Sequence, residues 1–475
     1  MSNSDNDGMT TGAACSRERH SPFHGLRLLK EPVPDEKKRL MRARWHALDA
    51  RWRTAGQGLG QQATGCGATI GVHPRCDFAC TGCYLGTGAN RVRPSELEDI
   101  FRQLDRLRAW LGPKGNVQIT DGEVTLLPVE DLVAILRYAR RLGLIPMLMT
   151  HGDTFRRRLG LLERLMIQGG LTELTIHIDT TQRGRVGWRN PASEAALEPL
   201  RDEFADLIRS ARRTTRLRLR AATTVTLTRD NLADVGHVVN WCLRNRDAFG
   251  MVSFQPVAHV GRTHQGLQGV TVTEVWTEIE DALAYYGLRR RGPSALMFGH
   301  PDCTRVEPLV VYEPVGRRPR IVPIVREDHD EDAGMMRAFF LRGFGGVNFR
   351  DDTAVERVCR AAGVFLIDPG WIAGPLRRWV LARLTELGTS ATRVAWDVLR
   401  RNVRIDSFCV VSHHFMSPTE LATPLGQERL SACSFRVPVG EEMVPMCRVN
   451  AGGLRDDMYA GRIAVPGDAA ASPSS

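Results

Sequence analysis

Short apolar segments alternate with amphipathic helical segments between about residues 67 and 260, and this alternation limits the possible folds more than any other feature. Strands separated by helices pair in parallel through right-handed crossovers. The sequence therefore predicts an α/β fold in which six strand–helix repeats form a partial, TIM-like (β/α)6 barrel. The six candidate strands are 68–72, 116–120, 144–150, 171–178, 217–226 and 251–257.

The predicted helices carry their own boundary and burial signals. Ser95 and Glu98 have the spacing of a capping box at a helix start. The leucine-rich stretch that follows repeats its apolar positions every 3.6 residues, as expected for a helix with one buried face. Gly143 is placed to end the next helix, since glycine readily adopts the left-handed conformation after a last turn. Farther on, 273–286, 353–362 and 373–402 are also predicted to be helical.

Three cysteines follow the first candidate strand in the segment HPRCDFACTGCYLG, with the spacing C-x3-C-x2-C. In a barrel of this kind the chemistry lies at the carboxyl ends of the strands. Three close thiolates, from Cys76, Cys80 and Cys83, suit a soft metal or an iron–sulfur cluster, whereas a closed zinc site needs four ligands. A cubane cluster held by three thiolates leaves one iron open to a small molecule.

These residues resemble the radical S-adenosylmethionine (radical SAM) superfamily over roughly residues 66–262. The resemblance implies a [4Fe–4S] cluster on the catalytic cysteines, with SAM chelating the fourth iron. One electron, from a reducing partner such as ferredoxin or flavodoxin, then splits SAM into methionine and a 5′-deoxyadenosyl radical. That radical takes a hydrogen atom from the substrate, which the sequence does not identify.

Further segments resemble SAM-binding motifs of the same superfamily. QITDGEVTLLP looks like the Gly-Gly-Glu-Pro segment that contacts the SAM amino group, with Asp121 in place of the first glycine and Val124 in place of the proline. Gly82 stands where the superfamily usually has an aromatic residue, and Tyr84 follows instead. The residues that the resemblance assigns to cofactor binding are Tyr84, Asp121, Gly122, Glu123, Asp179, Thr224 and Gln255.

Two histidines also end candidate strands. His151 and His177 are either ordinary strand-end residues with satisfied hydrogen bonds or proton donors and acceptors in the site, and the sequence leaves both interpretations open.

Three later cysteines lie in irregular segments: Cys303 in GHPDC, Cys433 in LSACSF and Cys447 in VPMC. They resemble the ligands of an auxiliary iron–sulfur cluster in one radical SAM branch, whose members methylate pterins or join lipid tails, although the cysteine-rich N-terminal module of that branch is absent here. Cys66 and Cys409 are candidate fourth ligands. The alternative of three unrelated thiols stays open.

The reaction predicted from this resemblance is carbon–carbon bond formation or methyl transfer on a lipid or heterocycle. Peptide modification is the alternative within the superfamily. A different class of protein, a non-enzymatic, zinc-bound nucleic-acid-binding protein, would account for the net charge of +10 and the first three cysteines. The basic residues are scattered, however, which argues against a nucleic-acid partner.

The chain lacks an apolar run long enough to span a bilayer, and the first twenty residues lack the apolar core of a secretory signal. These features, with an odd number of cysteines, predict a cytoplasmic protein without a disulfide framework. The predicted organisation is a disordered tail (1–20), a helical extension (21–65), a radical SAM core (66–265), a mixed α/β extension that contains the candidate auxiliary-cluster cysteines (266–465) and a second disordered tail (466–475).

Overall fold

The computed structural model describes residues 33–288, 296–326, 329–339 and 369–461. The two predicted disordered tails and the predicted helix 353–362 lie outside the described residues. Within these ranges one curved, twelve-stranded sheet organises the molecule. Its strands are β1 (Cys66–Ala68), β2 (Asn116–Ile119), β3 (Ile145–Thr150), β4 (Glu173–His177), β5 (Arg220–Leu227), β6 (Phe249–Pro256), β7 (Leu296–Met297), β8 (Thr304–Pro314), β9 (Arg320–Pro323), β10 (Val403–His413), β11 (Phe435–Val439) and β12 (Glu442–Pro445).

Strands β1 to β6 lie side by side in chain order and pair in parallel, which confirms the predicted partial (β/α)6 barrel. The first strand lies earlier than the predicted 68–72. Its hydrogen-bond ladder ends because the side-chain amide of Gln103 bonds both backbone groups of Ile70, at 2.8 Å to the N–H and 2.7 Å to the carbonyl. The chain therefore leaves the sheet after Ala68, and the cysteine segment starts from a fixed point.

The region after residue 265 extends this sheet at both edges. Strand β10 pairs in parallel with β6, and β11 pairs in parallel with β1, so eight parallel strands run without interruption. Antiparallel strands β8 and β12 lie outside them. The domain boundaries remain predictions; the two regions share one sheet.

Helices cover the sheet and supply most of the core. Their bounds are Asp35–Ala47, Leu97–Leu111, Val129–Arg141, Asp153–Arg157, Leu161–Gly169, Glu198–Thr215, Val235–Arg244, Val272–Ala284, Asp330–Phe339, Arg377–Glu386, Ala391–Leu399, Pro418–Leu421, Pro424–Ser431, Met446–Ala451 and Leu454–Tyr459. The second of these buries Ile100, Leu104, Leu107 and Leu111, which confirms the face predicted from periodicity. Gly143 follows the third helix with φ +75°, as predicted.

Two local predictions about helices are wrong. Ser95 does not cap the helix that begins at Leu97, because Glu96 is its N-cap residue and the Ser95 amide bonds the Gly71 carbonyl instead (2.8 Å). The predicted single helix 373–402 is two helices, which separate near Gly388, whose φ of +62° a continuing helix cannot contain. Across the described ranges, every helix is too short or too polar to cross a lipid bilayer.

Candidate active site

The segment from His73 to Gly86 crosses the carboxyl ends of the parallel strands, and neighbouring loops hold it through its backbone. From the loop after β2, the amide of Gly122 bonds the His73 carbonyl (2.9 Å) and the amide of Glu123 bonds the Arg75 carbonyl (2.8 Å). From the loop after β6, the amide of His264 bonds the Thr81 carbonyl (2.7 Å). The loop after β4 contributes two more such bonds, to Ala79 and Thr81. The three cysteines therefore lie on an irregular segment whose backbone is nevertheless fixed.

The thiols of Cys76, Cys80 and Cys83 line one cavity of about 220 Å³ at this end of the sheet. Burial raises the pKa of Cys76 well above its usual range and that of Cys80 to about 12, and the neighbouring thiols add to both shifts. A thiol in such surroundings needs a cation before it can ionise, and a metal supplies one.

Arg262 lies beside these thiols. Burial works against the charge of Arg262, yet the adjacent side chains of Cys83, Cys76 and Cys80 outweigh that effect and raise its pKa. Its buried Nε–H has no hydrogen-bond partner among the described residues. Three convergent soft ligands and an adjacent guanidinium with an unused donor fit a thiolate-bound iron–sulfur cluster, which carries net negative charge.

Gly122 is required by the close approach of two backbones. A Cβ atom at this position would lie 2.3 Å from the Arg75 carbonyl oxygen and 2.4 Å from that of Pro74. The contacts are to main-chain atoms, which cannot rotate away. The glycine therefore allows the loop after β2 to lie directly against the residues that precede Cys76.

Glu123 lies at the wall of the cavity but its carboxylate is bound by the protein. One oxygen accepts hydrogen bonds from the Thr125 amide (3.1 Å) and the Thr150 hydroxyl (2.6 Å). The other accepts from the His151 amide (2.8 Å). These bonds link the ends of β2 and β3. In this structure the carboxylate therefore stabilises the cavity wall through contacts within the protein.

Asp121 is similarly engaged. Its buried carboxylate accepts from the Gly71 amide (2.7 Å), from Arg455 Nη1 (2.5 Å) and from the Tyr459 hydroxyl (2.6 Å). Its carbonyl accepts from the hydroxyl of Tyr84. Burial raises the pKa of Asp121, and Arg455 opposes that shift. The side chain thus anchors the site to the C-terminal helix, which is a different placement from the direct SAM contact that the resemblance implies.

Asp179 also lies just behind the cavity. It accepts from the amides of Thr181 and Thr226 (2.8 Å each), and it pairs with His177 Nε2 at 2.6 Å. Burial raises its pKa, but the pair with His177 and these donors outweigh burial and hold it at about 2. The His177 ring is about one-third exposed and lines the cavity. Asp179 therefore orients His177, while Thr224 and Gln255 reach the cavity wall directly.

His151 is a structural residue in this arrangement. Its Nδ1 accepts from the Asp153 amide (3.1 Å), so its proton is on Nε2, which donates to Asp77 (2.8 Å). Its ring stacks on Phe78 at 3.8 Å. Ligand atoms of Cys76, Asp77 and His151 come within 4.8 Å of one another. They do not suit a metal, however, because a metal on Nε2 would force the proton onto Nδ1, toward the Asp153 N–H.

The three cysteines of the second set lie close enough to influence one another electrostatically. Burial raises the pKa of Cys433 to about 11 and of Cys447 to about 12; Cys303 contributes to both shifts and the Cys433 thiol to that of Cys447. Arg429 Nε donates to the Cys303 sulfur (3.3 Å), and the Met416 amide donates to the Cys447 sulfur (3.4 Å). Cys447 lines the same cavity as the first three cysteines.

The two candidate fourth ligands differ in position. Cys409 is within β10, opposite Met251, and lines a separate cavity. Cys66 begins β1 opposite Phe435, and its amide bonds the Ser434 carbonyl (2.8 Å), next to Cys433. Cys66 therefore stays a candidate fourth ligand of the second set.

Sequence reasoning missed the arginines. Arg262 follows the sixth strand in a segment that already resembled the superfamily, so its charge beside three cysteines was a usable signal. Arg429 and Arg455 lie in segments without a motif, and only the tertiary contacts connect them to the site.

The comparisons with known proteins agree with this site. The family model for the radical SAM superfamily matches residues 70–242. A 7,8-dihydro-6-hydroxymethylpterin dimethyltransferase from Methanocaldococcus jannaschii is 23% identical over 205 residues, which are 42% of this chain and 37% of that protein. The chain thus matches well under half the length of this relative.

Solved structures give weaker likenesses. Native anSMEcpe with bound AdoMet and a peptide is 10% identical, covers 47% of this chain and 59% of that one, and has a TM-score of 0.33. Streptococcus suis SuiB is 14% identical, covers 46% of each chain and has the same TM-score.

The family match spans the cysteine segment and strands β2 to β5, where the structure places the site. This superfamily implies a [4Fe–4S] cluster and SAM as cosubstrate. The chain carries a radical SAM domain over residues 70–242, and this match supports an enzyme.

Proposed function

We propose that this enzyme holds two iron–sulfur clusters beside one cavity and uses SAM-derived radical chemistry to methylate a heterocycle. The observation that carries the proposal is the shared cavity, which Cys76, Cys80, Cys83 and Cys447 all line. A substrate bound there would lie beside the first cysteine set and beside Cys447 of the second.

The first cysteine set would hold a [4Fe–4S] cluster with SAM on its open iron. Such a cluster would supply the one-electron chemistry that cleaves SAM, and an external one-electron donor such as ferredoxin or flavodoxin would reduce it. The protein fixes the cysteine segment through Gly122 and Glu123, and Arg262 offsets the negative charge of the thiolates. Thr224 and Gln255 are available at the wall to bind SAM.

The second set would hold an auxiliary cluster. Support comes from three neighbouring thiols and from N–H donors to two of their sulfurs, namely the Arg429 guanidinium to Cys303 and the Met416 amide to Cys447. Such donors stabilise the reduced form of a thiolate-bound cluster. The arrangement repeats the first set, in which one arginine also accompanies three thiols.

Methyl transfer to a heterocycle has two supports. The relative from M. jannaschii is named for dimethylation of a pterin. Phe415, Phe435 and Met446 also contribute to the cavity wall beside the cysteines, and such apolar and aromatic side chains suit a flat, partly apolar ring. Carbon–carbon bond formation on a lipid and peptide modification are the alternatives.

Metal analysis tests the clusters. We expect anaerobically reconstituted protein to hold about eight irons, because each cubane contains four. Replacing Cys76, Cys80 and Cys83 together by Ala should leave about four irons and abolish 5′-deoxyadenosine formation with dithionite. Replacing Cys303, Cys433 and Cys447 should also leave about four irons but retain uncoupled SAM cleavage. Four irons in wild type would remove the auxiliary cluster from the proposal, and iron-free protein would remove both.

Product analysis tests the reaction. Reduced enzyme is incubated with SAM and 7,8-dihydro-6-hydroxymethylpterin, and mass spectrometry should show the pterin gaining CH2 units only when both cysteine sets are intact. An unchanged pterin, together with modification of a peptide or lipid offered in parallel, would replace heterocycle methylation by the corresponding alternative.

A further inference from the structure

The last described part of the chain returns to the active site as two short helices, Met446–Ala451 and Leu454–Tyr459. Arg455, on the second helix, is 3% exposed and points toward the loop after β2. Its Nη1 donates to Asp121 at 2.5 Å, and the Tyr459 hydroxyl donates to the same carboxylate oxygen at 2.6 Å. A fully buried ion pair therefore joins two segments that are 334 residues apart in sequence.

The same guanidinium contacts both walls of the cavity. On the side of the first cysteine set it lies 4.8 Å from the centre of the Tyr84 ring, and Tyr84 in turn donates to the Asp121 carbonyl. On the side of the second set its Nε donates to Asn450 Oδ1 (2.8 Å), and its Nη2 contacts the Met446 sulfur (3.8 Å). Tyr84, Asp121, Met446 and Asn450 all line the cavity.

Met446 precedes Cys447, and Tyr84 follows Cys83. A rigid link between Met446 and Tyr84 therefore fixes the position of one thiol relative to the other. Breaking a buried ion pair by removing one partner leaves an uncompensated charge, so such a pair holds its partners in one geometry. The link also explains a departure from the superfamily motif: a glycine at position 121 has no side chain that could reach Arg455.

We propose that Arg455 is a positioning residue that, through Asp121, fixes the distance between the two cysteine sets and so the width of the substrate cavity. The existence of this link is independent of metal, while its role in catalysis rests on the proposed function. Asp121 is accordingly the partner of the C-terminal helix, and residues 446–461 form part of the active-site wall.

The first test uses the metal-free full-length chain. Arg455→Met should accelerate amide hydrogen exchange in residues 446–461 by about tenfold or more, because local opening then no longer breaks an ion pair. The matched control is Arg448→Met, since Arg448 is exposed on the neighbouring helix and should leave exchange unchanged. Unchanged exchange in Arg455→Met would overturn the link itself.

Two further variants distinguish loss of the Arg455–Asp121 ion pair from general misfolding. The double variant Asp121→Gly with Arg455→Met removes both charges and restores the glycine of the superfamily motif, so its denaturation midpoint should lie above that of either single variant. Arg455→Lys keeps the charge and should show exchange between wild type and Arg455→Met. A double variant that is as unstable as the sum of the single ones would contradict coupling between the two residues.

The second test uses the reconstituted enzyme. Pulsed EPR on the reduced protein should show a changed magnetic coupling between clusters in Arg455→Met, whereas the exposed control Arg448→Met should keep the wild-type coupling and iron content. Wild-type coupling in Arg455→Met would overturn the positioning role. A wild-type protein with about four irons would instead reject the auxiliary cluster, whereas the exchange result would still decide whether the link exists.

Discussion

Replacing Gly122 by Ala should damage the cysteine segment without touching a thiol. The added Cβ would lie 2.3 and 2.4 Å from two main-chain oxygens, those of Arg75 and Pro74. An ordinary carbon–oxygen contact is about 3.3 Å or longer, so the two backbones must separate by about 1 Å. The glycine does not have a positive φ, and the predicted effect is therefore steric.

The free-energy cost of Gly122→Ala follows from the hydrogen bonds that the separation of the two backbones would break. The amides of Gly122 and Glu123 bond His73 and Arg75 at 2.9 and 2.8 Å, and a shift of about 1 Å lengthens both bonds beyond useful range. Each lost bond costs about 1 kcal/mol, and the overpacking costs about 1–3 kcal/mol more. A total of about 4 kcal/mol corresponds to about a thousandfold weaker binding of an iron–sulfur cluster that requires this loop geometry.

The assay is anaerobic reconstitution followed by iron and sulfide analysis, alongside urea denaturation of the metal-free chain. Gly88→Ala is the matched control, because Gly88 lies in the same loop region and has a φ of −80°, and a Cβ atom added there would meet no other atom within 4 Å. We expect the control to retain wild-type iron content and stability. If Gly122→Ala bound iron as wild type does, with the same denaturation midpoint, the close approach of the two backbones would be refuted.

Three further substitutions test other parts of the structure. Burial lowers the pKa of Lys37 to about 8, so the unfolded chain binds its proton more tightly and stability rises from about pH 8 to about pH 10.5. Lys37→Met should remove this rise and stabilise the protein at pH 7, as measured by urea denaturation against wild type. Thr271→Ala removes a complete capping box with Glu274 and should cost about 1 kcal/mol in the same assay, and no change would show that the cap is not formed. Leu104→Ala empties a fully buried position and should cost about 2–5 kcal/mol, a range that a mobile or exposed helix would not reach.

Cys447 of the second cysteine set lines the same cavity as the first set. If both hold clusters, the substrate would be exposed to SAM-derived radical chemistry from one side and to an auxiliary cluster from the other. His177 faces the same space, and the buried Asp179 fixes its Nε2, so the ring has a defined orientation toward whatever binds there. The residues after 265 therefore contribute to the site as well as to the edges of the sheet.

Local sequence determined the parallel core and the place of the first cysteine set. Strands β2 to β6 and the buried face of the Leu97–Leu111 helix follow from apolar periodicity, because the period of side-chain burial is a property of the local backbone. The position of Cys76, Cys80 and Cys83 follows from the same argument, since a segment that follows a parallel strand must emerge at its carboxyl end.

Tertiary structure alone decided how the functional side chains are used. The sequence could not show that β10 and β11 would join opposite edges of one sheet, nor that Cys447 would reach the cavity of the first set. Asp121 lies in a segment that resembles a cofactor-binding motif, yet its carboxylate is bound by Arg455, 334 residues away in the sequence. Such pairings depend on contacts between distant residues, which leave no periodic trace in the sequence, because burial of an ion pair is decided only when the two segments pack together.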